Sequence, residues 1–231
     1  MLLGKLGYRL LGNLYQTLDQ ATLASAPLVL LIISGLSLAQ PAGLSGRLES
    51  WPPPGWPQGT SAQLRLGFEG SQGPASPLAA IGADGRFTLS LEAPTVPADA
   101  WGSLARALRL EPGCNFTPMV NPVGARAAIA SLKVFAAGRA EPWGELRIEQ
   151  RGKRGNDDTG EISFLIYVDR AATVRGSGTC GGGIAVQVDE RIRQGWNVVV
   201  VSGTFTPSGG TATIKVTGSP IGRFEILPLG R

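Results

Sequence analysis

The side chains of this sequence best equipped for chemistry are carboxylates, and their densest group is Asn156-Asp157-Asp158-Thr159-Gly160-Glu161. An Asp-Thr-Gly tripeptide can serve hydrolysis from a buried loop after an apolar strand, where two carboxylates share one proton. Here the run Arg151-Gly-Lys-Arg-Gly-Asn156 precedes it. So polar a run marks a solvated hairpin tip. Calcium takes about six to eight oxygen ligands, but this spacing fits no calcium loop and the neighbouring basic residues oppose a cation. Carboxylate pairs such as Glu141 with Glu145, or Asp189 with Glu190, have the composition for glycoside chemistry. Adjacent surface charges are the plainer reading. The chain contains no histidine, which removes a Ser-His-Asp triad, a Cys-His dyad and histidine-bound zinc together. No catalytic, cofactor-binding or metal-ligating residue is assigned, and no cofactor is expected.

Two other groups remain. Cys114 and Cys180 have no CxxC partner, and in an oxidising compartment such a pair joins as a disulfide, with two buried free thiols as the alternative. Trp51 and Trp56 frame the run Trp51-Pro-Pro-Pro-Gly-Trp-Pro57. Exposed, they would stack on sugar rings or meet a partner protein; buried, they would close a core. Asn115-Phe-Thr117 matches a glycosylation sequon, a tripeptide easily met by chance. The net charge of +4 over 231 residues is too thin for a polyanion-binding face. Only Arg147, Arg151, Lys153 and Arg154 bunch, beside Asp157, Asp158 and Glu161. No nucleic-acid partner is expected.

The elements that must position these residues are strands. From Gln40 onward, apolar and polar residues alternate between Gly- and Pro-rich turns, the pattern of half-buried β-structure. Leu44–Ser50, Ala62–Phe68, Leu78–Ile81 and Arg86–Leu91 read as strands, with Asp84-Gly85 turning the last hairpin. Asp99 is placed to cap a short helix carrying Trp101, Leu104, Ala105 and Leu108, stopped by Glu111-Pro-Gly113. Eight further strands follow: 127–135, 144–150, 161–169, 172–176, 184–188, 197–205, 211–216 and 224–227. A bulge is expected at Ser202-Gly203 and a turn at Pro207-Ser-Gly-Gly210. Trp196 should plug a core end, with Asn197 satisfying turn amides. The fold class is therefore all-β: one or two antiparallel sandwiches joined by a short helix.

Ahead of these strands, Pro27–Leu38 is an apolar stretch running into Ala39-Gln40. It falls short of the roughly 20 residues a spanning helix needs. Its length, and the small residues Ser37 and Ala39, suit a signal-peptide core. The weakly amphipathic stretch Met1–Ala26 is long for a signal, so either translation starts downstream or residues 1–39 are a retained membrane anchor.

Residues 44–91 resemble a carboxypeptidase-regulatory-like (transthyretin-like) repeat. The matching pieces are Leu44-Ser-Gly46, Gln63-Leu-Arg-Leu66 and Ala83-Asp-Gly-Arg-Phe-Thr-Leu89, the last similar to that family's Asp-Gly-x-Phe-x-Leu hairpin. The resemblance implies a sandwich serving as spacer or adhesive unit, with no catalytic residues. Phe164-Leu-Ile-Tyr-Val-Asp-Arg170 and Gln194-Gly-Trp-Asn-Val-Val199 make residues 114–231 resemble uncharacterised exported bacterial β-proteins.

The expected organisation is thus a signal peptide or anchor (1–39), a transthyretin-like sandwich (40–97), a linker with a short helix (98–113) and a second sandwich (114–231). The expected role is an exported, non-enzymatic structural or interaction module of a bacterial cell envelope, in the periplasm, at the surface or outside. Its partner would be an envelope protein or a polysaccharide. A carbohydrate-binding module using Trp51 and Trp56 is the alternative, and a carboxylate hydrolase a distant third. Membrane contact is expected only through residues 1–39.

Overall fold

The computed structural model describes residues 43–71, 78–110, 114–206, 208–217, 220 and 222–228. Residues 1–39 and the helix stop at 111–113 lie outside them. The strands are β1 (Gly43–Arg47), β2 (Ala62–Phe68), β3 (Leu78–Ile81), β4 (Arg86–Ser90), β5 (Gly102–Ser103), β6 (Cys114–Asn115), β7 (Met119–Asn121) and β8 (Arg126–Ala136). They continue with β9 (Gly144–Arg154), β10 (Asp157–Val168), β11 (Ala172–Cys180), β12 (Ile184–Ile192), β13 (Gly195–Thr206), β14 (Gly209–Thr217) and β15 (Arg223–Pro228). Among the described residues, one helical turn, α1 (Leu104–Ala107), and two short 3-10 turns complete an almost entirely β structure.

All the described strands belong to one hydrogen-bonded sheet, in the order β1-β4-β3-β2-β8-β9-β10-β13-β14-β12-β11-β6, with β15 on β9, β5 on β8 and β7 on β11. The first part closes on itself. From β1 the ladder runs through β4, β3, β2, β8 and β9 to β15, and Phe224 of β15 bridges back to Leu48, just beyond β1. The Glu49 amide donates to the Phe224 carbonyl at 2.9 Å. Alternation along β2 and β4 turns Leu64, Leu66, Phe87 and Leu89 into this ring, where Leu132, Leu146, Ile148 and Trp196 meet them as a first core. Fully burying one such leucine contributes about 2 kcal/mol. The second core packs Leu104, Leu108 and Phe116 against Ile166, Val168, Val174, Val186, Val199 and Ile214.

The ladder does not pause at the 98–113 segment. β2 pairs β8 from Ala62↔Ala136 to Phe68↔Ala130, and β9 and β15, from late in the chain, finish the ring around the first core. A strand as long as β8 serves both cores. Its residues Ala128, Leu132 and Val134 face the first core, while Ala127 and Ile129 face the second.

Three local expectations need correcting. Ser103, not Asp99, caps the helix: its hydroxyl accepts from the Arg106 amide at 3.2 Å. Gly102 and Ser103 pair with Ala127 and Arg126, so Trp101 stays extended outside the helix. No bulge interrupts β13, because Ser202 and Gly203 pair in unbroken register with β10 on one side and β14 on the other. Glycine at 203 instead makes room, since a Cβ there would overlap the Phe205 ring. The polar run at 151–157 is mostly strand: Arg154 pairs with Asp157, leaving Gly155-Asn156 as the turn. Gly155 at φ 66° suits the first position of such a two-residue hairpin.

Candidate functional site

The tryptophans flanking the proline run form a nested cluster with a third. The Trp51 and Trp56 ring centres are 5.0 Å apart and tilted by 54°. Trp143, which sequence reading passed over, meets Trp56 edge-on at 5.4 Å. The Trp56 indole N–H donates to the Thr60 carbonyl at 3.1 Å. Gly85 is hemmed by Trp51, whose Cβ would lie 2.9 Å from any Cβ added there. Trp51 and Trp56 are half-buried against the first core. Tilted and edge-on arrangements are those in which aromatic rings favour packing on one another.

Of the carboxylates singled out by sequence, several are held by neighbours. Asp158 lies on β10 opposite Lys153, which it meets at 3.5 Å, while Glu161 accepts from the Ser202 hydroxyl at 3.1 Å. Asp189 holds Arg175 at 2.8 Å. Glu190, the next residue along β12, takes the opposite face by the strand's period of two. Burial pushes its carboxyl up, and Asp189 adds to this, while the Val216 amide and Lys215 work against them. Glu141 precedes β9 and is exposed. Among the described residues no three His, Cys, Asp or Glu side chains are grouped to hold a metal ion. The basic bunch is interleaved with acids: Arg151 pairs Glu149 at 3.3 Å and Lys153 pairs Asp158.

Cys114 and Cys180 are joined as a disulfide, which ties β6 to the end of β11, where the two residues are ladder partners. Asn115 beside it is exposed. Trp196 is buried, stacks on Phe68 and donates its indole N–H to the Glu92 carbonyl at 2.9 Å. Asn197 takes the Arg193 amide at 3.1 Å and donates to the carbonyls of Arg193 and Gly195, both at 2.9 Å.

The feature no motif announced is a gap in the sheet. β8 pairs β10 only through Ala127–Ile129 and pairs β9 only through Lys133 and Val134. β9 and β10 join each other from Ile148↔Ser163 outward. The segments 130–132, 146–147 and 164–165 thus border a three-sided window where no ladder pair connects the strands. This window opens into a cleft of about 850 Å³, within the range of about 300–1,000 Å³ typical of small-molecule sites. Ala130, Leu132, Leu146, Phe164 and Leu165 line it at the window, and Leu110, Ile184, Val201, Phe205 and Ile214 line it further in. The walls are mainly apolar.

Two carboxylates, Glu69 and Glu145, stand at the window end of this cleft. Glu69 follows β2, and its amide bonds the Ile129 carbonyl at 2.9 Å. Glu145 opens a face of β9 that alternates Glu145, Arg147, Glu149, Arg151, while Leu146 and Ile148 turn into the first core. Burial, and then the charge of Glu145, push the Glu69 carboxyl from 4.5 up to about 7. Among the described residues neither carboxylate makes an ion pair or a side-chain hydrogen bond. Sequence had named Glu145, though as a partner of Glu141, and offered one signal for the other carboxylate: Glu69 sits directly after the apolar strand Leu64-Arg-Leu-Gly-Phe68.

No family model matches this chain, and neither a curated protein nor a solved structure matches it. Among the described residues no helix is long and apolar enough to cross a membrane.

Proposed function

We propose that this protein is an exported, non-enzymatic interaction module of a bacterial cell envelope whose working surface is the apolar cleft. One observation carries the reading. The cleft is walled mainly by hydrocarbon, and of the carboxylates that sequence had singled out, Asp158, Glu161 and Asp189 are engaged with neighbours. Binding needs such a pocket; on this reading Glu69 and Glu145, which lack partners among the described residues, serve as ligand contacts and not as an acid–base pair. The disulfide is consistent with an oxidising compartment, which is where such bonds persist. The sandwich architecture and the transthyretin-like assignment of residues 40–97 belong to the same proposal. The Asp84-Gly85 hairpin turn between β3 and β4 supports the transthyretin-like assignment.

The test is fractionation of cells expressing the full chain, with N-terminal sequencing and thiol alkylation under denaturing conditions. Recovery from the envelope or medium with no alkylatable thiol is expected. Recovery from the cytoplasm with two alkylatable thiols overturns the proposal. The carbohydrate reading rests on the half-exposed Trp51 and Trp56 rings. A polysaccharide pull-down with wild type and with Trp51→Ala/Trp56→Ala separates it: retention abolished by the double variant would favour it over the cleft.

A further inference from the structure

We propose that the cleft is a binding site for a cationic amphiphile, an amine carried on a single hydrocarbon chain, with the ammonium seated between Glu69 and Glu145. This rests on the reading of the protein as a non-enzymatic binding module and names the chemistry of its ligand.

The walls choose the tail. Ile162, Phe164 and Val201 are only partly buried although they lie on the face of the sheet that carries the second core. Their remaining apolar surface, with Leu110 and Ile184, lines the cleft. Covering such surface with hydrocarbon is favourable by about 25 cal/mol per Å². An elongated chain fits because the cleft runs from the window toward β12 and β14.

The window end chooses the head. Glu69 and Glu145 are near enough for one charge to disfavour the other, and both lack a counter-ion among the described residues. Lys133 is opposite Glu145 in the ladder but closes no ion pair with it. The cleft's arginines are less available. Arg151 is paired with Glu149, Arg109 and Arg147 have partners of their own, and Arg106 is exposed on α1. An anionic head would meet two carboxylates on which neither Lys133 nor Arg106 closes; an ammonium would meet their missing counter-charge. Two like charges in a partly desolvated site attract a cation more strongly than they would in water. Asp99, at the same cleft, adds to the negative side.

A consequence follows for protons. Glu69 holds a proton near neutral pH in the empty protein, because burial and Glu145 push its carboxyl to about 7. An ammonium beside it favours the ionised form, so binding near pH 7 expels a proton.

The experiment titrates the full chain with dodecylammonium, dodecanoate and dodecanol, each below its micelle concentration, by calorimetry at pH 7 in two buffers of different ionisation heat. Dodecylammonium should bind at least about tenfold more tightly than either of the others and release a fraction of a proton. Glu69→Gln/Glu145→Gln should weaken it by about tenfold and abolish the release, while unfolding curves confirm that the variant folds. Equal binding of dodecanoate, no proton release by the wild type, unaltered binding by the folded double variant, or no binding at all would each overturn the proposal. The proton readout uses only wild type, so a misfolded variant leaves the test intact. Failure here leaves the fractionation result standing, and a cytoplasmic protein that still binds the amine would sink only the exported reading.

Discussion

Changing Glu69 to Gln should flatten the pH dependence of stability, and the structure sets both the sign and the size. In the folded protein its carboxyl is pushed from 4.5 up to about 7, first by burial and then by Glu145. In the unfolded chain it ionises at its ordinary value. Between those two values the unfolded state has lost a proton that the folded state keeps. Stability from this group is therefore fully present below pH 4.5 and is lost as pH rises through 7. At about 1.4 kcal/mol per tenfold change in proton affinity, the loss reaches about 3 kcal/mol by pH 8. Glutamine carries no proton to lose. Urea unfolding followed by tryptophan fluorescence, at several pH values from 4.5 to 8, gives the comparison. The variant should gain about 3 kcal/mol on wild type across that range. Asp169, held low against burial by the Arg126 amide and the guanidiniums of Arg170 and Arg126, titrates alike in both proteins, and so does Glu190. Both cancel in the difference. Glu145→Gln should give a smaller change of the same sign, since removing its charge lowers the Glu69 carboxyl only in part. Parallel stability curves for wild type and Glu69→Gln would refute the reasoning.

Other perturbations test the frame around the cleft. Replacing both Cys114 and Cys180 by alanine opens a cross-link spanning 66 positions, which on chain entropy should cost about 4 kcal/mol in urea unfolding; a loss below about 1 kcal/mol would mean that the strands around β6 hold without it. Asn197→Ala removes three hydrogen bonds from a buried site and leaves the Arg193 amide short of an acceptor. A loss of about 2–3 kcal/mol in thermal or urea unfolding is expected. Gly178→Ala would drive a Cβ into the Asn115 carbonyl and the Phe116 backbone, costing about 1–3 kcal/mol. Gly124→Ala, where nothing lies within 4 Å, should be close to neutral in the same assay.

Strand alternation was readable because it is local: Leu64, Leu66 and Phe68 face one way whichever strands lie beside β2. The same holds for the Asp84-Gly85 turn, and for Asn197, whose side chain bonds groups within four positions of itself. The helix cap was misread because Asp99 and Ser103 are both capping residue types. What separates them is the pairing of Gly102 and Ser103 with β8, a strand more than twenty positions away. The bulge at Ser202-Gly203 failed for a related reason. A glycine in a strand marks either a break or a crowded neighbour, and the Phe205 ring decides which.

By itself, then, the sequence determined the longer strands, most of their turns and the pairing of the only two cysteines, because each follows from neighbouring residue types or from having a single possible partner; the short β5, β6 and β7 it did not. Tertiary structure alone decided that the two halves share one ladder, that Trp143 joins Trp51 and Trp56, and that Glu69 and Glu145 line one cleft. Those depend on register between strands far apart in the chain, where a shift of one residue would turn every side chain to the other face. The cleft is the clearest instance. It exists because β8 leaves β10 after Ile129 and reaches β9 only at Lys133, and no pattern within any one of those strands records where the others part from it.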